Sequence, residues 1–279
     1  MQLSSRVVLL GILAGLSAAS SAADVNRYVR YSDGNLAHYG QIDADVIAEL
    51  DAPPWQGGKK TGVTVRKPDI TLLAPAEPSK VFAVGFNYRS HLDDRVTPAE
   101  PPIFLKLPTT IIGPNAEIIY PAGASNVHFE GELVVVIGKT ASRISPEEAG
   151  NFIFGVTAGN DVSERDWQAN DLQWFRGKAP DTFGPIGPEI VTGLNYRDLL
   201  LRTRLNGKIV QEQRTRDQIH DAHAVVSFIS QYATLYPGDI IFTGTPGETS
   251  KMVAGDVIEV EIENVGVLRN TIGLAGNSK

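Results

Sequence analysis

The chain of 279 residues contains no cysteine. No disulfide can form, no thiolate can bind a metal, and a lipid-modified N-terminal cysteine is excluded. Basic residues are also in short supply, with 25 Lys plus Arg against 32 Asp plus Glu and a formal net charge of −7. There is no long basic run, so the chain is a poor candidate for binding nucleic acid. An anionic substrate would need a bound cation or a local Lys/Arg cluster to overcome that charge. Low-complexity tracts, internal repeats and a membrane-length apolar run are missing too. The most apolar stretch, residues 7–18, is too short for a spanning helix.

That stretch has another reading. Residues 1–6 carry one positive charge, residues 7–18 are apolar, and Ser21-Ala22-Ala23 precede Asp24. This is the pattern of a cleavable export signal, residues 1–23, and implies a secreted or periplasmic protein without a membrane anchor. Its removal takes away one arginine and no acid. An oxidising compartment is compatible with the absence of cysteine, though not required by it.

A hydrophobic content of 42% is ordinary for a globular protein with one large domain, or one with a small appendage. Short strands around Asp33-Gly34-Asn35 suggest a small β domain over residues 24–72, with residues 52–69 as a Pro/Gly/Lys-rich linker. Residues 73–279 then form the main domain. Residues 81–84 read as an apolar strand, followed by a turn into a helical stretch carrying His91. Residues 145–149, SPEEA, have the signals of a helix start. Asn206-Gly207 suits a two-residue hairpin turn, and residues 221–232 form the best amphipathic helix of the second half. Strands outnumber helices without regular alternation. The fold class is therefore α+β and mainly β, not a doubly wound sheet.

The segment NVHFEGELVVVIGK, residues 126–139, places Glu130 and Glu132 at the head of an apolar strand. Strand periodicity puts both on one face, where like charges repel unless a cation, hydrogen bonds or water compensate them. A strand end emerging into solvent explains the pair equally well, and a metal site needs a third ligand. Asp161 supplies a candidate, since it follows the apolar run 152–156. Three carboxylates form a hard oxygen set suited to Mg²⁺, Mn²⁺ or Ca²⁺. His128 shares the glutamates' parity and permits a reading with a softer metal, but no second histidine lies nearby. Lys178, His91, Gln168 and Thr245, each taken alone, are unremarkable polar residues.

Several ordered motifs between residues 72 and 270 resemble the fumarylacetoacetate hydrolase family: VGFNYRSH, FEGELVVVIGK, FGVTAGNDVSERDWQ, RGKAPDTFGPIGP, LNGKIVQ, YPGDIIFTGTP and GDVIEVEIENVGVLRN. The resemblance implies a mixed β-sandwich roll with a small N-terminal β appendage, commonly dimeric. It also implies Mg²⁺ or Mn²⁺ held by Glu130, Glu132 and Asp161. Lys178 would hold a developing oxyanion, and Gln168 and the backbone around Thr245 would bind an oxo or dicarbonyl acid. In hydrolytic members a histidine and a glutamate three residues later activate water. His91 matches the first, whereas Asp94 stands in place of the glutamate. Phe86 stands where acylpyruvate-cleaving members often carry arginine.

The expected activity is metal-dependent hydrolysis of a carbon–carbon bond in a 1,3-dicarbonyl acid such as an acylpyruvate or fumarylpyruvate. The same site could instead decarboxylate an oxaloacetate-type acid or isomerise or hydrate a 2-hydroxydienoate. A non-catalytic oxo-acid binding protein is a third reading, prompted by the export signal.

Overall fold

The computed structural model describes residues 24–92 and 94–274; the export signal expected at residues 1–23 lies outside them. A large mixed sheet forms the backbone of the molecule. Its principal strands run in the order Lys60–Arg66, Val46–Leu50, Ala37–Asp43, Asn26–Ser32, Gly184–Thr192, Ile153–Asn160, Gly131–Ile137, Ile240–Phe242, Val81–Val84 and Ile103–Lys106. A second sheet is built from Lys208–Arg214, Leu200–Leu205, Val257–Ile262, Gly266–Leu274 and Glu117–Tyr120. The expected mainly β fold with a β-rich N-terminal region is what forms.

The strand Gly131–Ile137 is buried at every position. Its two faces explain its continuous apolar run. Leu133, Val135 and Ile137 pack into a cluster with Val225, Val226 and Ile229 of helix Ala222–Tyr232 and with Leu201, Val260 and Ile262 of the second sheet. Val134 and Val136 pack on the opposite side with Ile186, Ile190 and Phe242. Two core layers thus clamp the strand that carries Glu132.

The N-terminal residues form an antiparallel meander with a small core of Val29, Tyr31, Ile42 and Ile47. Asn26–Ser32 pairs with Gly184–Thr192, so the meander continues the large sheet. The expected linker at residues 52–69 is instead a 3₁₀ turn, Pro54–Gln56, and an ordered strand, Lys60–Arg66. That strand has six exposed positions among seven. Sheet pairing fixes it without giving its sequence a buried face, which is why no period marks it.

Residues 145–149 begin as expected and then stop short. Ser145 and Glu148 exchange hydrogen bonds in the manner of a capping box, yet only a 3₁₀ turn, Ala149–Asn151, follows. Gly150 and the strand Ile153–Asn160 leave no room for further helical turns. The Asn206-Gly207 hairpin forms, with φ of 51° and 79°, and helix Ala222–Tyr232 forms with Asp221 capping Ala224 N–H at 2.9 Å.

Candidate active site

Antiparallel pairing assembles the carboxylates. Gly131 lies opposite Asn160 and Glu132 opposite Gly159, so the start of one strand meets the end of its neighbour. Asn160 Oδ1 accepts the Glu130 N–H at 2.8 Å, and the Asp161 N–H donates to the Glu130 carbonyl at 2.8 Å. Ligand atoms of Glu130, Glu132 and Asp161 then lie within 4.8 Å of one another, all three residues buried. His128 stays outside this group. Its ring nitrogens face Thr249 Oγ1 at 3.0 Å and Asn126 Oδ1 at 2.8 Å. Burial and the nearby Arg165 push its pKa down to about 4.

Lys178 comes from the one-turn helix Phe175–Lys178, which packs closely on helix Arg165–Asn170. A Cβ on Gly177 would sit 2.8 Å from Gln168 Cα, so the approach requires glycine. The Lys178 ammonium donates to Glu130 Oε2 and Asp161 Oδ2, each at 2.7 Å. A second lysine, Lys106 of the strand Ile103–Lys106, reaches Asp161 Oδ1 at 2.6 Å and the Lys178 carbonyl. Arg165 Nη2 pairs with Glu130 Oε1 at 2.6 Å and contacts Thr249 Oγ1 at 2.8 Å, while its Nη1 donates to Gln168 Oε1 at 2.8 Å.

These partners set the charge states. Burial would raise the Glu130 carboxyl, but Lys178 and Arg165 outweigh it and hold the group well below the usual carboxylate range. Burial would lower the Lys178 pKa, but Asp161 and Glu130 outweigh it and raise the value. Burial prevails at Lys106, whose pKa falls despite Asp161. Burial, then Asp161 and Glu130, raise Glu132 far above normal. Glu132 Oε2 accepts the Gly244 N–H at 2.5 Å, and among the described residues no lysine or arginine side chain pairs with it. Gly244 has a φ of 101°, which presents that N–H. A hard divalent cation among the three carboxylates would compensate the crowding at Glu132, and the all-oxygen donor set fits Mg²⁺ or Mn²⁺.

Glu130 of the triad borders a narrow throat together with Lys178, Thr245, Gln168 and His91. The throat adjoins an open cleft of about 590 Å³ along which His91, Arg95 and Arg165 supply positive or ionisable groups. Thr245 is tied into the floor, its hydroxyl donating to the Gly131 carbonyl and accepting from Gln211 Nε2, both at 2.9 Å. His91 ends the 3₁₀ turn Arg89–His91, and its Nδ1 lies 2.5 Å from the Gly247 carbonyl. A carbonyl only accepts, so Nδ1 carries the hydrogen and Nε2 is the ring nitrogen left to exchange a proton. Asp94 is exposed, and among the described residues no hydrogen bond joins it to His91.

The structure therefore brings Glu130, Glu132, Asp161, Lys178, Gln168, Thr245 and His91 together and leaves Asp94 at the surface. Sequence reasoning overlooked Lys106 and Arg165. Arg165 lies three residues before Gln168 in the same motif, a helical spacing that could have drawn attention to it. Lys106 had no comparable signal.

Three buried carboxylates, flanked by cationic side chains, are positioned to hold a divalent metal ion. The chain belongs to the fumarylacetoacetate hydrolase family: residues 80–273 match the fumarylacetoacetate (FAA) hydrolase C-terminal family, and residues 26–75 match the Rv2993c-like N-terminal family. It is 46% identical over 245 residues to Protein Rv2993c of Mycobacterium tuberculosis, covering 86% of this chain and 91% of that protein. It is 37% identical over 242 residues to the human mitochondrial oxaloacetate tautomerase FAHD2B, covering 81% of this chain and 73% of that protein. Among solved structures, a 2-hydroxyhepta-2,4-diene-1,7-dioate isomerase from Mycobacterium marinum superposes with a TM-score of 0.85 at 42% identity, covering 90% of this chain and all of that one.

Proposed function

We propose that this protein is a divalent-metal-dependent enzyme that moves protons on a small 2-oxo acid, interconverting its keto and enol forms or the isomers related through the enol. The observation that carries the reading is His91: the Gly247 carbonyl takes the Nδ1 hydrogen and orients the imidazole, leaving Nε2 as the ring nitrogen available to exchange a proton, on the border of the throat beside Glu130 and Lys178. Glu130, Glu132 and Asp161 would hold Mg²⁺ or Mn²⁺. When bound, such an ion supplies Lewis-acid stabilisation to an oxygen gaining negative charge.

The side chains account for the proton chemistry. Nε2 of His91 takes a proton from the carbon beside the ketone; that C–H electron pair becomes a carbon–carbon double bond, and the carbonyl π pair moves onto oxygen. Return of the proton to oxygen gives the enol, and its return to a distal carbon of a conjugated chain gives an isomer. Lys178 places an ammonium beside the region where the oxyanion develops. Arg165 and Gln168, already linked to each other, form a polar edge for the substrate carboxylate. The names carried by the human tautomerase and the mycobacterial isomerase support proton transfer over cleavage.

Hydrolysis of an acylpyruvate is the second reading, favoured by the same metal set and histidine. Product analysis separates the two. Metal-loaded protein is expected to speed keto–enol interconversion of oxaloacetate without net cleavage, to lose this activity on chelation and to regain it with Mn²⁺. His91→Ala should lower the rate about 100-fold or more, and Asp94→Ala less than about threefold, because Asp94 is exposed and separate from the ring. Cleavage of acylpyruvates with a large Asp94→Ala loss, and no tautomerisation, would overturn the proposal.

A further inference from the structure

The strand Lys208–Arg214 lies at one edge of the second sheet and buries a single position, Gln211. An apolar side chain is the usual occupant of such a place. Here the amide is fully engaged instead: Oε1 accepts the Gly131 N–H at 3.1 Å, and Nε2 donates to Thr245 Oγ1 at 2.9 Å and to the Pro246 carbonyl at 2.6 Å. Glycine at position 131 permits this approach, since a Cβ there would fall 2.0 Å from Thr203 Oγ1 and 3.3 Å from Gln211 Oε1. Gln211 thus joins the strand bearing the glutamates to the loop that holds His91.

A peptide unit is planar, so partners at both its C=O and its N–H fix its orientation. The Glu130–Gly131 unit is held in this way by the Asp161 N–H at 2.8 Å and by Gln211. The Pro246–Gly247 unit is held by Gln211 and by Ser90 Oγ, which accepts the Gly247 N–H at 2.9 Å. Ser90 Oγ in turn donates at 2.6 Å to Gln213 Oε1, two residues along the strand from Gln211. The Gly247 carbonyl then receives the His91 Nδ1 hydrogen. Gly247 has a φ of 63° and nothing within 4 Å of a Cβ position, so glycine serves the turn here and not a close approach.

From this continuous chain of hydrogen bonds we infer that Gln211 is a positioning residue, which sets the place and tautomer of His91 relative to the carboxylate triad by fixing the Pro246–Gly247 peptide. The inference rests on the proposed proton transfer by His91 and names what holds that group. Removing the amide leaves the Gly131 N–H and the Pro246 carbonyl without their buried partner and lets the loop shift.

Gln211→Met keeps the length of the side chain and removes all three bonds; Gln211→Glu keeps an acceptor for Gly131 but sets an oxygen against two acceptors. In the Mn²⁺-loaded full chain, each is expected to lower kcat for keto–enol interconversion of oxaloacetate about tenfold or more, with KM changed less than about threefold. Placed on His91→Ala, either should cost less than about twofold further, because its effect passes through the imidazole. Nitrogen-15 spectra of the Mg²⁺-loaded, histidine-labelled chain, with His91 assigned by its absence in His91→Ala, should show a neutral Nδ1–H ring in the native protein and a shift towards Nε2–H in the variants. Circular dichroism and thermal melts verify folding. If neither Gln211 variant folds, the exposed change Ser90→Ala decides, with kcat expected to fall about threefold and native kcat overturning the inference. Native kcat in a folded Gln211 variant overturns it, as does an equal loss on His91→Ala, which would leave Gln211 a purely structural role. If the native protein does not tautomerise oxaloacetate, the spectra decide alone: a tautomer shift keeps the positioning role and removes only the reaction, and an unchanged imidazole overturns it.

Discussion

Lys106 is buried to the end of its side chain, where its ammonium is shared by Asp161 Oδ1 and the Lys178 carbonyl. Removing it would leave a carboxylate oxygen and a carbonyl without that donor in a setting that excludes water. Lys106→Met is therefore expected to lower unfolding free energy by about 3 kcal/mol, read as a fall in urea midpoint with an unchanged slope. Saturating Mn²⁺ should recover part of the loss if it binds the folded protein alone. A change below about 0.5 kcal/mol would mean that Asp161 finds another partner. The glutamate pair was legible because strand parity placed both acids on one face of an apolar run. Lys106 was hidden, since the proline-broken segment 101–114 has no sustained period and a lysine normally reads as surface. Its role arises from its strand packing against the helix that ends at Lys178, a contact between segments far apart in sequence.

At the level of elements, the site depends on short connections between strands. Helix Phe175–Lys178 has four residues and helix Arg165–Asn170 has six, too few to be stable without tertiary packing. Gly177 sets their approach. With 2.8 and 2.9 Å between its hypothetical Cβ and Gln168 Cα and Cβ, Gly177→Ala must push the helices apart and move Lys178 from its carboxylates. Turnover should fall about tenfold or more, since small displacements of charged groups are costly in preorganised sites. The melting temperature should fall by only a few degrees, because the principal core clusters lie in the sheets and helix Ala222–Tyr232. Full activity in Gly177→Ala would show that the helices can separate without disturbing Lys178. Sequence patterning found helix Ala222–Tyr232 and the Asn206-Gly207 hairpin, whose signals are local. It lost the exposed strand Lys60–Arg66 and overextended the turns near His91 and Ser145, where distant pairing and packing decide the structure.

Across the whole molecule, the strand Ile103–Lys106 ends the large sheet and pairs on one side with Val81–Val84. Its neighbourhood is apolar: Leu105 and Phe175 are each 61% exposed and Leu172 is 93% exposed, along a groove shared with Trp174. An apolar edge of this kind is prone to uncontrolled association unless something covers it. A second copy related by a two-fold axis would do so, since each copy offers the same edge strand and the same leucines and phenylalanine, and a closed pair exposes no further edge there. The homodimer expected from the family resemblance is thus expected to use this face. Light scattering after size exclusion should give twice the monomer mass for the native chain and the monomer mass for Leu172→Asp combined with Phe175→Asp. Because Trp174 borders both the groove and the cleft, the monomeric variant should also turn over more slowly while retaining its far-ultraviolet circular dichroism. A dimer that survives both aspartates would place the contact elsewhere, and a monomeric native protein would leave this face for a different partner.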